Sequence, residues 1–287
     1  MSDTLRGILL MTASMAGFAM SDMLIKLASQ QLANGYIILI MGLGGVAVFY
    51  GMARRAGIAI WTGAFFNPAV VVRNTSEIIG VFGMITALSL IPLTTISILI
   101  QATPIIVTLG AAVILGAPVG PWRWGAILVG FFGVVLIINP TQTDLDPNLI
   151  YGMIAVLGLA GRDLATRKVP KSIPSLAVAT YGFLIMIPLG LILIAADPAP
   201  AQFDGRAFWL MLATLLFAMA GNYAITAAMR IGDIAAVTPF RYSRILFGVG
   251  LGMLVFGEKL TVSAIIGVLI VISAGLFIVL RERRHSS

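Results

Sequence analysis

The chain has 287 residues, of which 60% are hydrophobic and only 10% charged, with 31 glycines and no cysteine. Soluble domains carry roughly 25% charged residues, so this composition excludes an ordinary soluble globule. The missing cysteines exclude disulfides and thiolate chemistry, and the net charge of +7 reads as membrane topology rather than affinity for nucleic acid.

Apolar runs of about 20 residues suit bilayer-spanning helices. Taken in order, the sequence predicts spans near residues 7–28, 34–52, 70–90, 93–115, 122–139, 149–168, 176–196, 207–229, 234–256 and 262–280. Long runs without alternation argue against a β-barrel. Arg6 before the first run resembles a signal peptide, but a retained helix fits better where no clear cleavage site follows. The breaks carry turn residues: Ala33-Asn34-Gly35, Ile91-Pro92, Gly116-Ala117-Pro118, Asn139-Pro140 and Asp197-Pro198.

Lysine and arginine placement orients the spans. With a cytoplasmic N-terminus, the inside segments hold Arg6, Arg54, Arg55, Arg73, Arg123, Arg167, Lys168, Lys171, Arg230, Arg281, Arg283 and Arg284, whereas the outside loops hold only Arg206 and Lys259. Asp144, Asp146, Asp197 and Asp204 fall outside. Both termini are therefore expected in the cytoplasm, and the tail from Arg281 to His285 reads as a membrane anchor.

The two halves, 1–140 and 141–287, repeat. At an offset of 141, Gly17-Phe-Ala-Met-Ser-Asp22-Met-Leu-Ile-Lys26 aligns with Gly158-Leu-Ala-Gly-Arg-Asp163-Leu-Ala-Thr-Arg167. The same offset pairs Gly80 with Gly221, Ala87 with Ala228, Ser97 with Thr238, Gln101 with Tyr242, and Leu115-Gly116 with Phe256-Gly257. One extra residue then pairs Gly125 with Gly267 and Gly133 with Gly275. A copy with an odd number of spans forces the next copy to enter from the opposite face. The expected fold is thus an all-α integral membrane protein of ten transmembrane helices in two inverted five-helix repeats. Such repeats support alternating access around a site between them.

These residues resemble the drug/metabolite transporter superfamily, specifically its EamA-type members. The first copy carries the pattern from Ala87-Leu-Ser-Leu-Ile-Pro-Leu through Thr103-Pro104 to Leu115-Gly116, and the second from Ala228 through Phe256-Gly257-Glu258-Lys259 to Gly275. Two positions depart from it. The glutamate after the fourth helix is Glu258 in copy two but Ala117 in copy one, and Pro104 has Ile245 as its counterpart. The resemblance implies export of amino acids or similar small metabolites across the cell inner membrane, as in bacterial amino-acid exporters. Exchange of sugar-phosphate or nucleotide-sugar anions is the alternative.

Charges within the spans need a partner, a cavity or a task. Asp22 and Lys26 lie four apart on one helical face, and Asp163 and Arg167 repeat the spacing, so an intrahelical brace is expected, with partner exchange during gating as the alternative. Arg162 neighbours Asp163, and Glu77 follows Arg73 by four residues. Coupling or gating roles are assigned to Asp22, Lys26, Glu77, Arg162, Asp163 and Pro104, the last because it lacks an amide hydrogen. Arg241 and Arg244 lie within Pro239-Phe-Arg-Tyr-Ser-Arg244, and their guanidinium forks suit a carboxylate or phosphate. They could equally pair with Asp163 or Glu77. Asn222 and Tyr223, aligned with Val81 and Phe82, offer amide and aromatic groups to a small zwitterion. The expected substrate contacts are Asn222, Tyr223, Phe82, Gln101, Tyr242, Arg241 and Arg244.

Gly248-Val-Gly250-Leu-Gly252 lies inside an apolar span with no preceding strand, so it reads as a smooth packing face rather than a phosphate loop. No Gly-x-Ser-x-Gly is present, and inverted symmetry separates Asp22 from Asp163, so an enzyme is not expected. A channel would need a charge ring or carbonyl filter that the sequence does not offer. No cofactor and no nucleic acid are called for; the partners are the substrate and the lipid bilayer.

Overall fold

A computed structural model describes residues 3–114, 116, 120–138, 146–197, 203–231 and 237–286. Leu115, Ala117, Pro118, Asn139, Pro140, Asp144 and Pro198 lie outside the described residues, as do the side chains of Arg123, Arg230, Thr238 and Arg281 to His285.

The described residues form helices joined by short connections and contain no strand. They are α1 (Asp3–Ala28), α2 (Asn34–Arg55), α3 (Pro68–Leu90), α4 (Leu93–Leu99), α5 (Thr103–Val113), α6 (Pro121–Ile138) and α7 (Leu149–Thr166). After these come α8 (Ser175–Leu184), α9 (Met186–Ala196), α10 (Gly205–Ile231), α11 (Ser243–Phe256) and α12 (Val262–Ser286). Short 3₁₀ turns occupy Gly63–Phe66, Ile100–Ala102 and Thr238–Tyr242. Among the described residues seven helical runs are long and apolar enough to cross a membrane, and two shorter apolar stretches, Trp124–Leu136 and Val262–Phe277, accompany them.

Local chemistry sets these bounds. Asn67 accepts from the Ala69 amide at 3.0 Å and Pro68 follows it, which starts α3. Pro188 has no amide hydrogen to return to Leu184, and the run Ser175–Ala196 breaks there into α8 and α9. Gly257, at φ +64°, closes α11 in the left-handed conformation that glycine adopts freely.

Two compact units emerge, and they cut across the sequence halves. The first comprises Met1–Met23, Ile91–Ile150 and Leu216–Ser287; the second comprises Leu24–Leu90 and Tyr151–Leu215. In the first, α4 packs on α11 and α6 on α12. Glycines admit the close approach: a Cβ at Gly248 would collide with the Ser97 side chain, and one at Gly252 would meet Thr94 at 2.6 Å. This is the smooth face the sequence suggested. In the second unit, α2 packs against α8 and α9.

Repeat-related glycines make one crossing in each unit. In the first, a Cβ on Gly17 would stand 3.2 Å from the Phe217 carbonyl oxygen and 3.5 Å from Gly221 Cα, while Ser14 donates to the Gly221 carbonyl at 2.7 Å. In the second, Gly158 presses so closely on Gly80 that a methyl group there would strike its backbone. Gly17 aligns with Gly158, and Gly80 with Gly221, so the same pair of positions is used twice.

Candidate functional site

The first unit holds two 3₁₀ turns, each leading into a helix. Between α4 and α5 the chain tightens into the 3₁₀ turn Ile100–Ala102, which ends two residues before Pro104. Proline cannot donate to the Ile100 carbonyl, and Thr103 Oγ1 donates to that oxygen instead, at 2.6 Å. Before α11 the chain makes a second 3₁₀ turn, Thr238–Tyr242, with Pro239 at its start. There Ser243 Oγ donates to the Phe240 carbonyl at 2.7 Å. Ile245, the counterpart of Pro104, lies in regular helix; the proline of this half stands six residues earlier, at Pro239.

Gln101 and Tyr242, aligned by the repeat, sit in these two turns and are both buried. Gln101 Nε2 donates to the Arg241 carbonyl at 3.5 Å, which links one turn to the other. The Tyr242 hydroxyl is buried against Gly275 without a hydrogen-bond partner among the described residues. A buried hydroxyl left unsatisfied costs about 1–3 kcal/mol, which makes this oxygen a candidate point of attachment for a ligand.

Arg241 and Arg244 diverge. The Arg241 side chain is exposed. Arg244 Nη2 donates to Asp22 Oδ2 at 2.5 Å, and its guanidinium stacks over the Phe18 ring, 5.5 Å from the centroid. The expected partners for the arginines, Asp163 and Glu77, are thus not Arg244's. Asp22 pairs with Arg244 across 222 residues of sequence, and Lys26 Nζ donates to the Leu88 carbonyl at 3.2 Å.

The start of α4 is held by Glu258. Its Oε1 accepts from the Leu93 amide and its Oε2 from the Thr94 amide, both at 2.7 Å. These are two of the donors that a helix N-terminus leaves unsatisfied, and the carboxylate also meets the positive end of the helix dipole. The sequence singled out Glu258 through its motif without revealing what it caps.

The second unit contains a neutral cluster of two cations and two anions. Arg73 meets Glu77 at 2.6 Å, as their spacing suggested. Arg162 reaches Glu77 at 3.3 Å and Asp163 at 2.9 Å, so it bridges both carboxylates. Asp163 therefore takes its sequence neighbour as partner, and no ion pair joins it to Arg167 among those described.

The remaining candidates are less engaged. Asn222 Nδ2 donates to the Ala218 carbonyl within α10 at 2.8 Å. Tyr223 is 68% exposed. Phe82 lies edge-on to Tyr151, with centroids 6.1 Å apart, in the second unit, whereas Asn222 and Tyr223 belong to the first. No group of three or more acidic or histidine side chains among the described residues could hold a metal ion.

Apolar helical spans with buried polar groups and paired charges among them define a polytopic membrane protein. Residues 147–280 match the EamA-like transporter family. The chain is also similar to a riboflavin transporter of Rhizobium johnstonii, 28% identical over 209 residues, covering 72% of this chain and 68% of that one. It is 25% identical over 210 residues to an S-adenosylmethionine uptake transporter of Rickettsia prowazekii, covering 72% and 70%. The pseudopaline exporter CntI of Pseudomonas aeruginosa is 26% identical over 272 residues, covering 93% and 94%. A solved crystal structure shares the fold over 99% of this chain and 100% of its own, with a TM-score of 0.62 at 16% identity. Residues 147–280 thus carry an EamA-like transporter domain, and the relatives that resemble the chain over most of its length are named as transporters.

Proposed function

We propose that the protein is a secondary transporter that exports amino acids or closely similar small metabolites across the inner membrane by alternating access. In this reading ten spans form two inverted five-helix repeats, 1–140 and 141–287, with both termini in the cytoplasm. The observation that carries it is the pair of 3₁₀ turns that hold the repeat-aligned Gln101 and Tyr242, Gln101 in the middle of one and Tyr242 at the end of the other, with the Tyr242 hydroxyl buried and without a hydrogen-bond partner among the described residues. Interrupted spans free backbone carbonyls and side-chain dipoles within the membrane, where they can hold the ammonium and carboxylate of a zwitterion.

Gln101, Tyr242 and Arg241 are the first-choice substrate contacts. Arg244 is committed to Asp22 and acts by shaping the turn. Asn222, Tyr223 and Phe82 remain secondary contacts. Asp22, Lys26, Glu77, Arg162, Asp163 and Pro104 are assigned to gating or coupling. The named relatives handle riboflavin, S-adenosylmethionine and pseudopaline, in both directions, which supports a vestibule larger than a free amino acid requires. Anion exchange is less favoured, because one of the two arginines it relies on is neutralised by Asp22.

Counterflow in proteoliposomes tests the proposal. Preloaded amino acids should drive uptake of labelled amino acid, and Tyr242→Phe with Gln101→Ala should abolish it while the protein stays folded. Counterflow with sugar phosphates but with no amino acid would replace this reading by the anion exchanger.

A further inference from the structure

The second unit carries a built cleft outside the transport machinery. Tyr50, Arg54, Gly57, Ile60 and Trp61 line a cavity of about 330 Å³ where α2 ends. A 22-residue helix rises about 33 Å, close to the ~30 Å hydrocarbon thickness. With Asn34 at one boundary, Arg54 and Arg55 stand at the headgroup level of the other.

The loop beyond α2 is fixed rather than loose. Ile60 is buried in a cluster with Ala53, Val70 and Tyr181. The buried Tyr181 hydroxyl donates to the Ile60 carbonyl at 2.5 Å and lies 3.3 Å from Thr62 Oγ1. Between these two held residues Trp61 points outward, 73% exposed, with its ring 6.4 Å from that of Tyr50. Phe66, at 77%, projects nearby on the same loop. Exposing two large aromatic rings from a pinned loop is costly in water but favourable at a membrane interface, where such rings concentrate.

The charge is one-sided. Arg54 and Arg55 are exposed and have no acidic partner among the described residues, and the sequence contains no Asp or Glu between Asp22 and Glu77. The loop after α7 packs on the same buried cluster through Val169 and Ile173, and it adds exposed Lys168 and Lys171.

We propose that this cleft is a binding site for the headgroup of an anionic phospholipid. Arg54 pairs with the phosphate, Trp61 and Tyr50 flank the glycerol region, and the lysines supply the surrounding field. The cleft thereby ties the cytoplasmic end of the second unit to acidic lipid. The inference rests on the helices lying in a bilayer and on no particular substrate.

The test is native mass spectrometry of the full chain, released from nanodiscs of phosphatidylcholine containing a minor fraction of phosphatidylglycerol. Phosphatidylglycerol should be retained in preference to phosphatidylcholine. At the known contribution of a basic residue near an anionic surface, Arg54→Gln should lower that retention about fivefold and Arg54→Gln/Arg55→Gln by about 25-fold. Trp61→Ala should lower it as well, with Trp61→Phe restoring most of it. All these side chains are exposed, so thermal unfolding in neutral detergent should not change. Equal retention of the two lipids, or wild-type retention in the double arginine variant or in Trp61→Ala, would overturn the assignment. Displacement by millimolar inorganic phosphate would overturn it in favour of a free-anion site. None of these readouts depends on transport, so the lipid site and the transport reading fail separately.

Discussion

Asp22 and Asp163 align at the 141-residue sequence offset, yet they are held differently. In the first unit Asp22 has one arginine, Arg244, delivered from 222 residues away and backed by the Phe18 ring. In the second unit Asp163 shares Arg162 with Glu77, which has Arg73 as well. The first arrangement is all-or-none, whereas in the second Arg162 keeps Glu77 as a partner when Asp163 is lost. Two aspartates aligned at the 141-residue offset thus keep their place in the sequence pattern without keeping the same kind of partner.

That difference is open to attack. Asp22→Asn leaves Arg244 without its counter-charge and should destabilise the protein by about 3–5 kcal/mol, as measured by unfolding in detergent. Asp22→Asn/Arg244→Gln should recover much of the loss. Asp163→Asn should cost clearly less, because Arg162 keeps Glu77; equal losses would erase the contrast. The glycine crossings provide a second comparison. Gly158→Ala drives a methyl group into the Gly80 backbone and should cost about 1–3 kcal/mol, whereas Gly17→Ala meets its nearest atom at 3.2 Å and should cost less in the same assay. Glu258→Gln removes charge from the α4 cap and keeps one acceptor, so the expected loss is about 1 kcal/mol. Tyr242→Phe should leave stability unchanged or slightly improved, since the hydroxyl has no partner to lose, while counterflow falls. A stability loss equal to that of Glu258→Gln would mean the hydroxyl is engaged after all.

The sequence disclosed these features unevenly. Every apolar run it predicted coincides with helix over most of its described length, because composition and turn residues act locally. The Gly248 and Gly252 face and the Arg73–Glu77 pair were legible for the same reason: three- and four-residue spacings map directly onto a helix surface. The partner of Asp22 was not legible. Spacing pointed to Lys26, whereas the ion pair observed is with Arg244 on a helix far along the chain, and no periodicity encodes that. Pro104 did mark a break. Its counterpart was sought at Ile245 by strict offset, but Ile245 lies in regular helix, and the proline of the second 3₁₀ turn is Pro239. The coincidence of Gln101 and Tyr242 with the two turns appeared only once backbone geometry was known, although the repeat had already paired them.

The contact from Glu258 to Leu93 and Thr94 also bears on biosynthesis. The carboxylate lies 165 and 164 residues downstream of the amides it receives. At about 5–20 residues per second, α4 would wait roughly 8–33 s after its own synthesis for that acceptor to emerge. During that interval the nascent fourth span carries two bare donors at its leading end. A ribosome stalled before codon 258 would therefore leave the insertion machinery holding a helix that cannot yet be finished.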